Sequence, residues 1–423
     1  MSDFNKDAFE ARRDKWEAIV ECETPSAPKI TDSHMKGVVY QVLENTEKEL
    51  NEATVTGDVA QYTPVLMSLI RRTMPSLVGN QMVGVQAMSS PTGRIFAQHV
   101  YYGESQNGGR ETWANGTVGT TAAYGEAPDS TFTGPHSTAD GEKLGWDQFD
   151  SGTGAVSNPN PWKEMSFAID YIDVSVKTRA LKGKITTEVV SDLRAVHGLD
   201  AEQEIANILQ AEIVAEIDRE IITRIYNEAK QGAVNCATPG TFDFSIDADG
   251  RWSMEKVQGL LIQIEREATL IAQETRRGRG NFILTSPEVA AWLSMANLIT
   301  NVYGNVGFTP DVNPVGISYY GMLTNRFKVF VDPYATSTTD NAGNTVHSII
   351  VGYKGANAYD AGIFYCPYIP LQFFKSTGQE DFGLRLGLKS RYGIVSNPYY
   401  VAKGTTDAVP ATNSYFRKFN IKF

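Results

Sequence analysis

Apolar residues recur at every fourth position over one long stretch of the chain: Ile205, Leu209, Ile213, Ile217, Ile221 and Ile225. This spacing predicts a helix from roughly Asp200 to Lys230, with Asp200 as its N-cap behind Gly198. At ~1.5 Å per residue such a helix spans roughly 45 Å. Each step of four overshoots a full turn by ~40°, so the stripe winds ~200° from end to end. The two ends must therefore face different partners, as in a strut that crosses layers.

Val257, Leu261, Ile264, Ala268 and Ile271 mark a second amphipathic helix over 253–274. Ile172–Lys177 alternates as a half-buried strand, and Asn281–Thr285, Phe327–Val331 and His347–Tyr353 read as further strands. Helix and strand alternate over this part, which predicts an α/β domain. Leu384, Leu386 and Leu388 alternate again, and Tyr415–Phe423 reads as a terminal strand with one partly basic face.

Two blocks depart from this pattern. Residues 1–52 hold two helix-prone stretches, one with Phe9, Trp16, Ile19 and Val20, the other with Val38, Val39, Val42, Leu43 and Leu50. Two amphipathic helices without a sheet bury little by themselves, so they are expected to dock on something other than this chain. Residues 104–161 contain 10 of the 37 glycines but only Val118, Leu144 and Val156 as aliphatic side chains larger than alanine. Such a segment cannot offset its ordering entropy by burial. It is expected to project as a loop or small insertion, anchored by Trp113, Tyr124, Trp146, Phe149 and Trp162; a linker between domains is the other reading.

The chain has 423 residues and a net charge of −11, and 42% of its residues are hydrophobic, an ordinary globular make-up. No apolar run approaches the ~20 residues a spanning helix needs, so no membrane role is expected. The first residues lack a signal-peptide pattern, which points to a soluble protein made in a reducing cytoplasm. Net negative charge argues against binding a phosphate backbone. Cys22, Cys236 and Cys366 lie too far apart for a disulfide framework, and the histidines lack metal-site spacing, so neither metal nor cofactor is expected.

No catalytic motif is present: there is no GxSxG, HExxH or phosphate-loop signature. Arg276, Arg277 and Arg279 form the sharpest basic cluster. They read as a helix stop or an intersubunit contact, with anion binding as the alternative. Asp247–Gly250 starts like a calcium loop but lacks the closing glutamate, and reads as a turn. Glu212, Glu216 and Glu220 share one helix face, with Arg219 and Arg224 nearby, and read as a solvated or intersubunit ion-pair face. Tyr171, Tyr353, Tyr359, Tyr365 and Tyr392 read as core and interface aromatics. The chain is expected not to be an enzyme.

Several long stretches, in order, resemble the major capsid proteins of tailed bacteriophages of the T-even type. They are Leu69–Pro75, Gly84–Gly93, Asp192–Glu202, Arg279–Ile283, Val351–Asn357, Arg391–Ile394 and Asn413–Arg417. The resemblance implies an α+β chain with the Hong Kong-type phage capsid fold: an N-terminal arm, an extended loop, a peripheral domain with a long spine helix, and an axial α/β domain. On that frame, 1–52 is a cleavable prosegment, 53–90 the arm and 91–165 the extended loop with an insertion. Residues 166–235 form the peripheral domain with the spine, 236–375 the axial domain, and 376–423 the return to the peripheral domain with the C-terminal strand.

The family also implies a prohead protease that cuts after Glu, two residues beyond Leu or Ile and before a small residue. Leu50, Glu52 and Ala53 fit that rule where the charged block ends. The cut would leave 371 residues and a charge of −6, since the block carries −5 of the −11. The implied function is a self-assembling subunit whose hexamers tile a phage head in the virion, built in the host cytoplasm around DNA held only as cargo. Implied partners are copies of itself, a capsid vertex protein, a portal, an internal scaffold reached through Phe9, Trp16 and Ile19, and the protease. The pentameric vertex protein of the same fold is the alternative, and a cytoplasmic hydrolase the remote one.

Overall fold

The computed structural model describes residues 12–17, 20–21, 30, 32–53, 77–102, 110–111, 165–198, 200–248, 250, 252–296, 299–300, 318–335, 338–339, 345–357, 359–377, 383–401 and 410–422. The expected loop 104–161 therefore lies outside the described residues except at 110–111, as do Phe9, Ile19 and Cys22.

In chain order, helix α1 (Ser33–Ala53) precedes strands β1 (Gly84–Val85), β2 (Thr92–Tyr102), β3 (Arg110–Glu111), β4 (Met165–Ser175) and β5 (Lys177–Ile185). Helix α2 (Thr187–Asp192) leads into the long α3 (Ala201–Glu228). Next come β6 (Ala229–Gln231), β7 (Thr241–Asp243), α4 (Ser253–Thr275), β8 (Phe282–Thr285), α5 (Pro287–Met295) and β9 (Ile299–Thr300). The chain continues through β10 (Ser318–Leu323), β11 (Phe327–Val331), β12 (Thr338–Thr339) and β13 (Thr345–Gly352). It ends with β14 (Ile363–Thr377), β15 (Leu384–Ser396) and β16 (Asn413–Lys422).

These strands build three sheets in the mixed α+β class that the sequence leads one to expect. A nine-stranded sheet runs β6-β16-β13-β8-β11-β10-β9, with β12 on β13 and β7 on β16. A four-stranded sheet runs β1-β14-β15-β5, and a three-stranded one β3-β2-β4. The chain leaves the large sheet at Gly352 and enters the four-stranded one at Ile363, within 236–375, before β16 returns to the large sheet. The terminal strand keeps the two faces the sequence predicts: Tyr415, Arg417, Phe419 and Ile421 are buried on one, and beyond Phe416 the other leaves Lys418 and Lys422 half-buried and Asn420 exposed. Lying between β13 and β6, β16 buries Tyr415, Phe416 and Arg417 in succession.

Helix α3 joins the two larger sheets. Its Asp200 cap accepts from the Glu202 N–H at 3.2 Å. Near its start, a Cβ on Gly183 of β5 would lie 2.8 Å from Ile205 and 3.5 Å from Leu209, so sheet backbone presses directly on the helix. Towards its end, Gly79 approaches Ile221 and donates its N–H to Asp218 at 3.0 Å. Ile221, Ile222 and Ile225 share one buried cluster with Phe282, Ile350 and Phe416 of the large sheet. The winding stripe thus meets different layers at its two ends.

The glutamate face of α3 is partnered differently from the sequence expectation. Arg179 of β5 reaches Glu216 at 2.9 Å and Glu220 at 2.6 Å, and the Tyr392 hydroxyl donates to Glu220 at 2.6 Å. Arg219 turns away to Asp332 and Arg224 to Glu228. Burial, with Glu220 beside it, pushes the Tyr392 phenol well above its ordinary range. The hydroxyl therefore stays a donor.

The N-terminal block also departs from expectation, because it docks on its own chain. Trp16, Val20, Val38, Val39, Val42 and Leu43 are buried in one cluster with Val83, Val85, Tyr365, Leu371 and Leu388. Trp16 is only 4% exposed and cannot serve as an outward scaffold contact. The apolar faces of these helices were legible in the sequence. Their partner was not.

Candidate assembly surface and processing segment

The three-stranded sheet presents an apolar face that stands exposed among the described residues. Because β2 and β4 pair antiparallel with Phe96 opposite Tyr171, alternate residues share a face. On one side Ala97, Ile172 and Val174 are buried, the latter two packing with Met88, Phe364 and Val395. On the other side Phe96 (64%), Met165 (59%), Phe167 (66%), Ile169 (59%) and Tyr171 (54%) stand exposed. Arg94 closes one end of this face, 4.5 Å over the Tyr171 ring and paired to Asp173 at 2.7 Å. A contiguous face of this kind, polar at its rim, marks a protein–protein contact.

A second exposed apolar group lies where α4 begins. Ile246, Trp252 and Met254 are 66%, 72% and 50% exposed. The preceding turn is held by Asp247, which accepts from the N–H groups of Ala237 at 2.9 Å and Asp243 at 3.0 Å. Asp247 thus serves a turn, as its sequence suggested.

Leu50, Glu52 and Ala53 fall in the last turn of α1. That helix is fixed further back. Asn45 donates to the Met88 carbonyl at 2.7 Å and the Tyr368 carbonyl at 3.1 Å, and His34 Nε2 lies 2.8 Å from the Val85 carbonyl. The last turn carries no basic residue to favour its carbonyl end.

The arginine cluster ends α4. Arg276 takes the left-handed conformation at φ 54°, and its N–H bonds the Ala272 carbonyl at 3.0 Å. Gly278 follows where a Cβ would strike the Tyr353 ring at 2.4 Å. Arg279 pairs with Glu265 of its own chain, which also accepts from Arg326 at 3.0 Å. Arg276 and Arg277 are exposed.

One constellation was missed in the sequence because its members are distant. Ser286 Oγ lies 3.2 Å from His347 Nδ1, and His347 Nε2 lies 2.9 Å from Glu288. Ser286 and His347 are buried, and Ser286 is the N-cap of α5, so this chain of contacts fastens the helix start to β13. Burial pushes the thiols of Cys236 to about 11 and Cys366 to about 12, which keeps both protonated at neutral pH. Among the described residues no group of His, Cys, Asp and Glu could hold a metal ion, and no helix is long and apolar enough to cross a membrane.

The family described as "Major capsid protein Gp23" matches residues 59–421. The chain belongs to this family of Gp23 major capsid proteins. The major capsid protein of Salmonella phage ViI is 30% identical, with 98% of each chain covered. That of Enterobacteria phage T4 is 29% identical over 96% of this chain and 98% of its own. The T4 capsid vertex protein is 27% identical over 57% of this chain and 55% of its own. Among solved structures, the capsid of Myoviridae phage XM1 aligns at 9% identity and a TM-score of 0.41, covering 88% of this chain and 97% of that one. As a Gp23-type major capsid protein the chain is a structural subunit of a tailed-phage head. Its place is the capsid of the virion.

Proposed function

We propose that this subunit assembles into hexamers that tile an icosahedral head around the genome, and that it is matured by a cut after Glu52. The observation that carries the assembly reading is the exposed face of Phe96, Met165, Phe167, Ile169 and Tyr171 on a sheet whose other side is packed. A neighbouring copy that covers this face contacts the chain heterologously, and such contacts close into rings. Many moderate interfaces per subunit then hold a lattice by avidity. Matches along nearly the whole chain to major capsid proteins, against 57% to a vertex protein, favour the hexamer over the pentamer.

The maturation reading rests on Leu50-Asn51-Glu52-Ala53 and on its place in the last turn of α1, which carries no basic residue. Shedding an acidic segment from an inner wall would lower its repulsion toward incoming genome. Vertex protein, portal, scaffold and protease are the partners this role calls for, with assembly in the host cytoplasm. We assign scaffold contact to the outward charged face of the N-terminal helices, where Asp14 and Lys48 are exposed. Arg276 and Arg277 are the arginines placed to meet a neighbour or an anion. N-terminal sequencing of mature particles tests the cut. Ala53 is the expected first residue, and an intact Met1 or Ser2 end contradicts it.

A further inference from the structure

The N-terminal helices are seated as a ligand is seated. Residues 12–17 form a helical turn alongside α1, tied to it by Arg12–Glu44 at 2.6 Å, by Lys15–Glu47, and by Lys36 to Glu21 at 2.9 Å. Together they offer Trp16, Val20, Val38, Val39, Val42 and Leu43 to the cluster that holds Val83, Val85, Tyr365 and Leu371. Asn45 adds directional contacts, satisfying the Met88 carbonyl and the Tyr368 carbonyl beside the register shift at Pro367/Ile369 of β14. An apolar helix stripe in an apolar trough, with one amide fixing the register, is the chemistry of helix-in-groove recognition.

We propose that the trough formed by residues 82–88 and β14 is a helix-receiving site that keeps residues 12–48 bound after the chain is severed behind Glu52, so that cutting and release are separate events. This rests on the processing reading above. Among the described side chains of α1, Thr46 is the last buried one, ahead of the cut. Glu52 stands in the last turn, where the macrodipole disfavours an acidic residue and no basic one offsets it. The last turn can therefore open to a protease while the anchors stay in place. Strand β1 and Met88, which lie under α1, keep their cover until the severed piece leaves. Rearrangement of the arm then follows release and does not follow the cut directly.

The test uses the full chain with a recognition sequence for a site-specific protease inserted after Ala53. The protein is cut to completion and passed over a size-exclusion column at low micromolar concentration. The 1–53 piece is expected to travel with the remainder, and a Leu43→Ala/Asn45→Ala chain to release it at least ten-fold faster. A piece that separates from the unsubstituted protein during the run overturns the proposal, as does equal release from the variant. Should the double variant not fold, Asn45→Ala alone is expected to speed release several-fold, and unchanged release counts equally against the proposal. Because a foreign enzyme makes this cut, dissociation leaves natural processing standing, whereas mature particles that begin at Met1 remove natural processing and leave the docking site.

Discussion

Arg417 Nη1 donates to Glu267 at 3.0 Å with both side chains buried, joining the middle of β16 to α4. Arg417 also pairs with Glu274, which takes Lys230 at 3.0 Å, so two carboxylates meet two cations. Glu267 additionally accepts from the Ala233 N–H and from Gln263, both at 2.8 Å. Such a group is balanced only while complete, because a buried carboxylate without its cation keeps its desolvation cost. Arg417→Met is expected to cost about 3–5 kcal/mol and to lower Tm by roughly 3–6 °C. Thermal unfolding followed by circular dichroism checks this, and an unchanged Tm contradicts it.

Gly352 of β13 lies against Phe282. A Cβ there would sit 2.3 Å from the ring, which is fully buried between Phe330 and Phe416 at centroid distances of 6.4 and 6.1 Å. With aromatic neighbours on both sides the ring has no free direction in which to move. Gly352→Ala is expected to destabilise by about 1–3 kcal/mol, the usual range for overpacking. The midpoint of urea denaturation reads it, and a midpoint equal to that of the parent chain contradicts it.

Burial holds the Lys354 ammonium down to about 8, with Asp32 opposing and Lys328 reinforcing the shift. Between pH 8 and the ordinary value of 10.5, the unfolded chain binds a proton here that the folded chain lacks. Lys354 therefore adds stability as pH rises through that window and subtracts it below. Tyr353, pushed up to about 12 by burial and Asp360, acts in the opposite sense above its ordinary value of 10.0. The difference between the parent and Lys354→Met isolates the lysine. Unfolding free energies across pH 7–11 are expected to move in the parent's favour from pH 8 upward, and a flat difference contradicts this.

Legibility in the sequence followed locality. The period-four stripe of α3, its Asp200 cap, the helix at 253–275 and the alternation at Ile172 and Val174 were readable because each depends on neighbours along the chain. Pairings set by topology were not. Nothing near Glu220 points to Arg179 rather than Arg224, and nothing in Tyr415–Phe423 signals that two sheet neighbours bury Arg417. The exposed face of β2 and β4 was not read in the sequence, where alternation was legible only from Ile172 onward; the pairing of the two strands is what sets Ile172 inward and Tyr171 outward.

That outward face offers a clean separation of folding from assembly. Phe167→Ser/Ile169→Ser removes exposed apolar surface, so stability of the lone chain is expected to stay within about 0.5 kcal/mol per substitution. Assembly at high concentration, followed by sedimentation velocity, is expected to fall at least ten-fold. Particles forming as readily as those of the parent contradict the assigned role of the face.

The most direct measurement is electron cryo-microscopy of the concentrated parent chain. Expected are rings of six joined in a lattice, with Phe96, Phe167, Ile169 and Tyr171 covered by an adjacent copy. A population of single subunits, or shells in which that face lies open to solvent, would contradict a subunit whose packing is completed by its neighbours.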